Sequence, residues 1–269
     1  LRTQLSRAFD KIIDQNNKGS GTASLVGARV GGDSFIVTPS YSTLADGHDW
    51  FGDLTAYSIQ STGLPGAIRW RAAAQMPDTA AEVAARKIYT ALSDFGSTDR
   101  ATDVKQFQAD QLGATVAEQF QRLGYNTADI INLFGGSVTP NQLVDYLRGD
   151  QSREGEVLNT APFRHRTEIL GDIVNSSPVI ASKRANYGWS TAAGLPSGVT
   201  STYGAYVSAK QASGRKEYVY VGANDGMLHG FDGDNGEEVF AYIPSAVLGM
   251  TGQLADRNYG ASPQKRYYV

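Results

Sequence analysis

A chain of 269 residues has room for one large domain or two small ones, and for a full hydrophobic core. Its 24 Lys and Arg against 27 Asp and Glu leave a net charge of -3, and neither the whole chain nor any long window shows the strong basic excess that wrapping nucleic acid demands. The lack of cysteine excludes disulfides, thiolate metal sites and thiol nucleophiles, while 30 glycines and an excess of Asp over Glu are the bias of a chain with many tight turns.

Leu1, Leu5, Phe9, Ile12 and Ile13 recur at helical spacing and predict an amphipathic helix over residues 2–16. No basic stretch followed by an apolar one occurs near Leu1, so any targeting signal is expected outside the chain. Short β-branched or aromatic segments follow, separated by Gly, Pro, Asp and Ser, and predict strands at 34–38, 54–59, 68–72 and 87–91. The helical period returns from Val104 through Phe107, Leu112, Val116, Phe120 and Leu123, with Gly124 as a C-terminal cap. A second short helix is expected over 128–134. A third begins at Thr139, with Pro140 at its first position, Gln142 completing a capping box and Gly149 ending it. Strand signals resume at 173–181, 205–209, 218–222, 227–231 and 239–243. The uncharged run from Val239 to Ala255 is broken by Pro244, Gly249 and Gly252 and is too short and too polar to span a bilayer.

A repeat organises these elements. Asp225-Gly226 reads as a two-residue hairpin turn joining 218–222 to 227–231, and residues 232–236 turn the chain into a third strand. Three antiparallel strands joined by tight turns are most of one propeller blade. Residues 51–57 and 225–231 share a G-x-L-x-small-aromatic phrase, and each leads through a glycine turn to a further aromatic, Trp70 or Phe240. The small residue lets neighbouring backbones approach and the aromatic wedges against the adjoining sheet. Two blade-like units with helices inserted between them account for this most simply; two unrelated hairpins in a mixed domain are the alternative.

Tyr146-Leu147-Arg148-Gly149-Asp150, Phe163-Arg164, the run from Leu170 to Val179, the run from Val219 to His229 and Phe240-Ala241-Tyr242-Ile243-Pro244-Ser245 resemble the C-terminal domain of the PilC/PilY-type type IV pilus tip adhesins. The likeness is specific over about 145–269 and looser earlier, through Trp50 to Leu54 and Trp70 to Ala73. The resemblance implies a mainly β fold, part of a modified β-propeller with PQQ-like blades and an inserted group of short α-helices. It also implies a place at the pilus tip, cell surface or outer membrane of a Gram-negative bacterium, minor pilins and a host-cell surface as partners, and roles in assembly, retraction control and adhesion. The expected division is 1–103 for the N-terminal helix and first blade strands, 104–150 for the helical insertion and 151–269 for further blade strands.

No nucleophile elbow, zinc-helix motif, Walker loop or dinucleotide fingerprint occurs, and His48, His165 and His229 are far apart without partners at ligand spacing. A non-enzymatic protein without a catalytic residue or cofactor in this segment is expected; a quinoprotein-like enzyme and a periplasmic scaffold of outer-membrane assembly are the rivals. Asp232, Asp234 and Asn235 bring oxygens together, but Gly236 stands where a calcium loop needs an acid, so a plain turn is expected. The Asp-rich calcium loop that the resemblance implies is expected beyond Val269. Arg148, Gly149 and Asp150 spell a tripeptide that integrins read, giving a candidate partner-binding site, although Gly149 also suits a helix C-cap. Residues 265–269 read as a strand entered and then cut, which predicts an incomplete propeller whose edge is covered by further residues or by a partner chain.

Overall fold

The computed structural model describes residues 18–20, 24–25, 35–44, 47, 49–62, 64–92, 103–134, 138–155, 161–183, 185–196, 198–212, 214, 216–260 and 265–268. The helix expected over 2–16, and His48, lie outside them.

Two sheets carry the fold. In the first, β1 (Lys18–Ser20) and β2 (Ser24–Leu25) pair along β3 (Phe35–Thr43), which runs antiparallel to β4 (Trp50–Ile59), and that strand pairs with β5 (Pro65–Arg71). In the second, β10 (Val179–Ala181), β11 (Tyr218–Ala223), β12 (Met227–Asp232) and β13 (Glu238–Ile243) form a four-stranded antiparallel meander, the unit of a propeller blade. This sheet is extended by β6 (Ile88–Ala91), parallel to β13, and by β7 (Val104–Gln106). A separate parallel pair joins β8 (Glu154–Gly155) to β9 (Phe163–Arg164).

Helix α1 (Ala80–Ala85) links β5 of the first sheet to β6 of the second, and α2 (Ala109–Leu112), α3 (Val116–Arg122), α4 (Thr127–Phe134) and α5 (Pro140–Arg148) follow β7 and precede β8 in chain order. Capping boxes start three of them: Thr79 with Glu82, Thr115 with Glu118, and Thr139 with Gln142. Phe107, Leu112, Phe120, Leu123, Phe134, Leu143 and Tyr146 bury one helical core against Ile88, Met227, Ala241 and Ile243 of the second sheet. The other core joins Phe35, Val37, Leu54, Ala56 and Trp70 of the first sheet to Val219, Val221 and Phe231 of the second, with Leu170 and Ile173 between them.

That second core explains the repeat. Leu54 is fully buried, whereas Leu228, its counterpart in the repeat, is 40% exposed. Phe231 is fully buried and its counterpart Tyr57 only partly so. In units stacked head to tail, one face of each packs on the opposite face of the next, so equivalent positions are covered in the first unit and open in the last. Trp70 marks the joint: its indole N–H donates to the Gly233 carbonyl at 2.8 Å, and its ring lies so close to Gly236 that a Cβ there would sit 2.6 Å away. Phe240, the counterpart of Trp70, covers Gly230 on the open face instead.

The structure corrects several local expectations. Residues 104–123 are not one helix: Val104 lies in β7, and Gly113 separates α2 from α3, which Thr115 restarts with its own cap. Residues 205–209 lie inside α6 (Val199–Ala212) rather than a strand. Of 173–181 only Val179–Ala181 pairs, because Pro178 lacks the N–H that a ladder needs. The hairpin loop holds three residues, Asn224 to Gly226, with a positive φ at Gly226 alone. Lys265 to Tyr268 form no ladder; the Tyr268 N–H donates to Asn224 Oδ1 and its hydroxyl to the Met250 carbonyl.

Candidate functional site

Arg148, Gly149 and Asp150 form the end of α5, and their geometry corrects the outward-facing tripeptide. Arg148 is 4% exposed, and its guanidinium points inward. It donates to the carbonyls of Phe107 (3.0 Å), Val83 (2.9 Å), Ala84 (3.1 Å) and Arg86 (2.8 Å). Gly149 takes φ 119°, the left-handed cap expected from the sequence, and only Asp150 is partly exposed, accepting hydrogen bonds from the Ser152 backbone and hydroxyl. Replacing Arg148 by Ala strips donors from four carbonyls and is expected to cost about 3 kcal/mol, against less than about 1 kcal/mol for Asp150→Ala. Urea denaturation of the two variants reads this, and equally small losses would contradict the inward guanidinium.

A buried ionic chain crosses the second sheet nearby. His229, fully buried on β12, holds Glu238 Oε1 through Nδ1 at 2.7 Å and Asp225 Oδ2 through Nε2 at 3.0 Å. Glu238 also takes two hydrogen bonds from Arg86, each 2.7 Å. Burial alone would lower the His229 pKa, but the charge and hydrogen bond of Asp225, joined by those of Glu238, raise it to about 9. Burial would raise the Glu238 pKa; the Arg86 charge and the His229 hydrogen bond hold it well below the carboxylate range. An imidazolium donating from both nitrogens has no lone pair to accept a proton or bind a metal. His229 therefore locks the sheet. His165 is half-exposed, with Nδ1 3.5 Å from Glu154 Oε2.

The turn at 232–236 uses its oxygens internally. Asp232 Oδ1 accepts from the Asp234 N–H at 2.9 Å, Asp232 Oδ2 pairs with Lys216, and Asn235 Oδ1 accepts from the Glu237 N–H at 3.1 Å. Among the described residues, no three His, Asp or Glu side chains are grouped to hold a metal, and no helix is long and apolar enough to cross a membrane.

Between β10 and β11 the chain leaves the blade and returns through α6, and here an exposed aromatic group gathers. Tyr187 is 75% exposed and Trp189 52%. The Trp189 ring lies 6.2 Å from that of Tyr187 and 5.3 Å from that of Tyr203, which is 6.2 Å from Tyr206. The Tyr187 N–H donates to the Tyr203 hydroxyl at 2.8 Å, and Lys210 donates to the Ala185 carbonyl at 2.9 Å while standing 5.5 Å over the Tyr206 ring. Tyr187, Tyr203, Tyr206 and Lys210 wall a groove of about 310 Å³, with Lys183 and Lys216 on its lining and Ile180, Ala181 and Tyr218 of the blade beneath. The sequence reading missed this site because 205–209 read as a strand. The signal was present: residues 173–216 hold Lys183, Arg184, Lys210, Arg215 and Lys216 and no Asp or Glu, a local positive excess well short of what wrapping nucleic acid demands.

Comparison with known proteins agrees with a propeller fold over the C-terminal part of the chain. Residues 170–269 match the family model described as the PilY1 beta-propeller domain. The whole chain is 49% identical to a type IV pilus biogenesis factor PilY1 homolog of Xylella fastidiosa, covering 18% of that protein. Over 88% of the chain it is 35% identical to the type IV pilus biogenesis factor PilY1 of Pseudomonas aeruginosa strain PAK, covering 19% of it. The chain thus spans about a fifth of the length of these relatives. No solved structure matched it significantly. Residues 170–269 thus carry the PilY1-type β-propeller domain, and the whole chain is similar to a segment of proteins named type IV pilus biogenesis factors.

Proposed function

We propose that this chain is a non-enzymatic scaffold segment of a pilus biogenesis factor that acts at the cell surface or pilus tip of a Gram-negative bacterium. In this reading it supports pilus assembly, restrains retraction and takes part in adhesion, through contacts with minor pilins and a host-cell surface. The observation that carries the proposal is the 49% identity, along the whole chain, to a relative named a type IV pilus biogenesis factor homolog. The head-to-tail joint supports it physically, because a blade whose outer face exposes Val179 and Leu228 beside Phe240 suits packing against a further blade of a longer protein. The segment itself needs no cofactor in this reading.

Deleting the gene in the bacterium that carries it, then restoring either the full-length protein or its Trp70→Ala variant, tests the role. Trp70 fills the joint between the sheets, so the variant is expected to lower surface pili and twitching motility toward the deletion level. Normal pili and motility in the deletion strain would overturn the reading.

A further inference from the structure

We propose that the groove walled by Tyr187, Tyr203, Tyr206 and Lys210 binds an acidic sugar, a carboxylate-bearing unit of an oligosaccharide. This goes beyond the pilus reading and needs only the groove. Its size class is that of a small-ligand site, near the lower end of the usual range of about 300–1,000 Å³. The walls offer aromatic faces, which suit the C–H face of a sugar ring, and tyrosine hydroxyls that can both donate to and accept from sugar hydroxyls.

Charge selects the acidic kind. The cations on the groove are Lys183, Lys210 and Lys216, and no Asp or Glu stands among its described lining residues. Asp232 pairs with Lys216 and offsets its charge, so Lys183 and Lys210 carry the selection; the Ala185 carbonyl and the Tyr206 ring hold the Lys210 ammonium at the groove instead of leaving it to sweep through solvent. Lys183 lies on the lining between β10 and the aromatic group. A single small groove with these few cations suits one carboxylate, not a run of phosphates, because a channel for single-stranded nucleic acid tracks the backbone with cations over several nucleotides. Exposure of Tyr187 and Trp189 is itself informative, since large aromatic side chains gathered on a surface mark recognition sites.

The test uses the purified full-length protein and tri-galacturonic acid, with galactotriose as the same scaffold without carboxylates and decathymidylate as the polyanion control. Titration followed by calorimetry is expected to show saturable binding of tri-galacturonic acid at least tenfold tighter than galactotriose. Tyr206→Ala should weaken it at least tenfold, Tyr206→Phe should keep most of it, and Lys183→Gln should abolish the preference for the charged sugar. Because Tyr206 is half-exposed, both tyrosine variants are expected to fold, and an unchanged thermal midpoint checks this. Absence of saturable sugar binding, equal binding of both trisaccharides, or unchanged binding by Tyr206→Ala overturns the proposal. So does tighter, strongly salt-dependent binding of decathymidylate. Pilus number and motility are read separately, so failure here leaves the scaffold reading standing.

Discussion

Glu238→Gln is expected to destabilise the protein by about 3–5 kcal/mol, the cost of breaking a buried ion pair while leaving its partners charged. Glu238 is the carboxylate between two cations, taking both 2.7 Å hydrogen bonds of Arg86 and the 2.7 Å bond of His229 Nδ1. The amide keeps the shape and removes the charge, so packing is not the variable. Arg86 also donates to the carbonyl of Arg148, and through it the loss reaches the end of α5. The pH dependence carries a second signature. His229, with a pKa near 6.5 unfolded and about 9 in the fold, contributes stability that is fully present below pH 6.5 and lost as the pH rises through 9. Glu238, depressed from 4.5, contributes stability present above pH 4.5 and lost as the pH falls below it. In Glu238→Gln one of the two carboxylates holding the imidazolium is gone, so the folded pKa of His229 falls; the alkaline loss, which begins near pH 6.5 in both proteins, should be smaller and complete at a lower pH than in the wild type. Urea midpoints measured from pH 4 to 10 decide this. A variant with the wild-type midpoint at pH 7 and the same alkaline limb would show that the chain of charges contributes nothing.

The features legible in the sequence are those whose cause is local. The start and stop of α5 need only Thr139, Pro140, Gln142 and Gly149, all within one short stretch, and each does in the fold what its chemistry predicts. The β11–β12 hairpin is equally local, since Gly226 supplies the positive φ its loop requires. The parallel pairing of β13 with β6 was not legible, because it joins residues far apart in the chain and no short window encodes it. Arg148 shows the same limit. Its place near a helix C-terminus was readable, but its carbonyl partners come from α1, the turn after it and the residue following β7, which only the fold assembles. The aromatic groove was lost to a strand reading of 205–209, where Tyr206 and Val207 suggested β structure although α6 buries only Val207.

The close approach of three backbones around Gly171 leads to the last expectation, that Gly171→Ala costs about 3 kcal/mol and lowers the melting temperature by about 6–12 °C. Three backbones are layered here. Gly52 of β4 donates to the Leu170 carbonyl at 3.0 Å, and Asn224 of the hairpin loop donates to the Asp172 carbonyl at 3.0 Å, so residues 170–172 are held between the two blades. A Cβ on Gly171 would meet the Asp225 nitrogen at 2.4 Å and the Asp225 Cβ at 2.9 Å. Backbone on both sides cannot swing away as a flexible side chain could. Relief requires the hairpin loop to move, which pulls Asp225 from His229 and from the Gly171 N–H that it accepts at 3.2 Å. The methyl therefore acts on the ionic chain as well as on the joint, which puts its cost at the upper end of overpacking effects. Gly249→Ala is the control, since its φ of -68° suits any residue and a Cβ there meets nothing within 4 Å. That variant should melt within about 2 °C of wild type, because a surface change away from such features stays within about 0.5 kcal/mol. Thermal melts followed by circular dichroism compare the pair. If Gly171→Ala melts with Gly249→Ala, the blades are not clamped through residues 170–172.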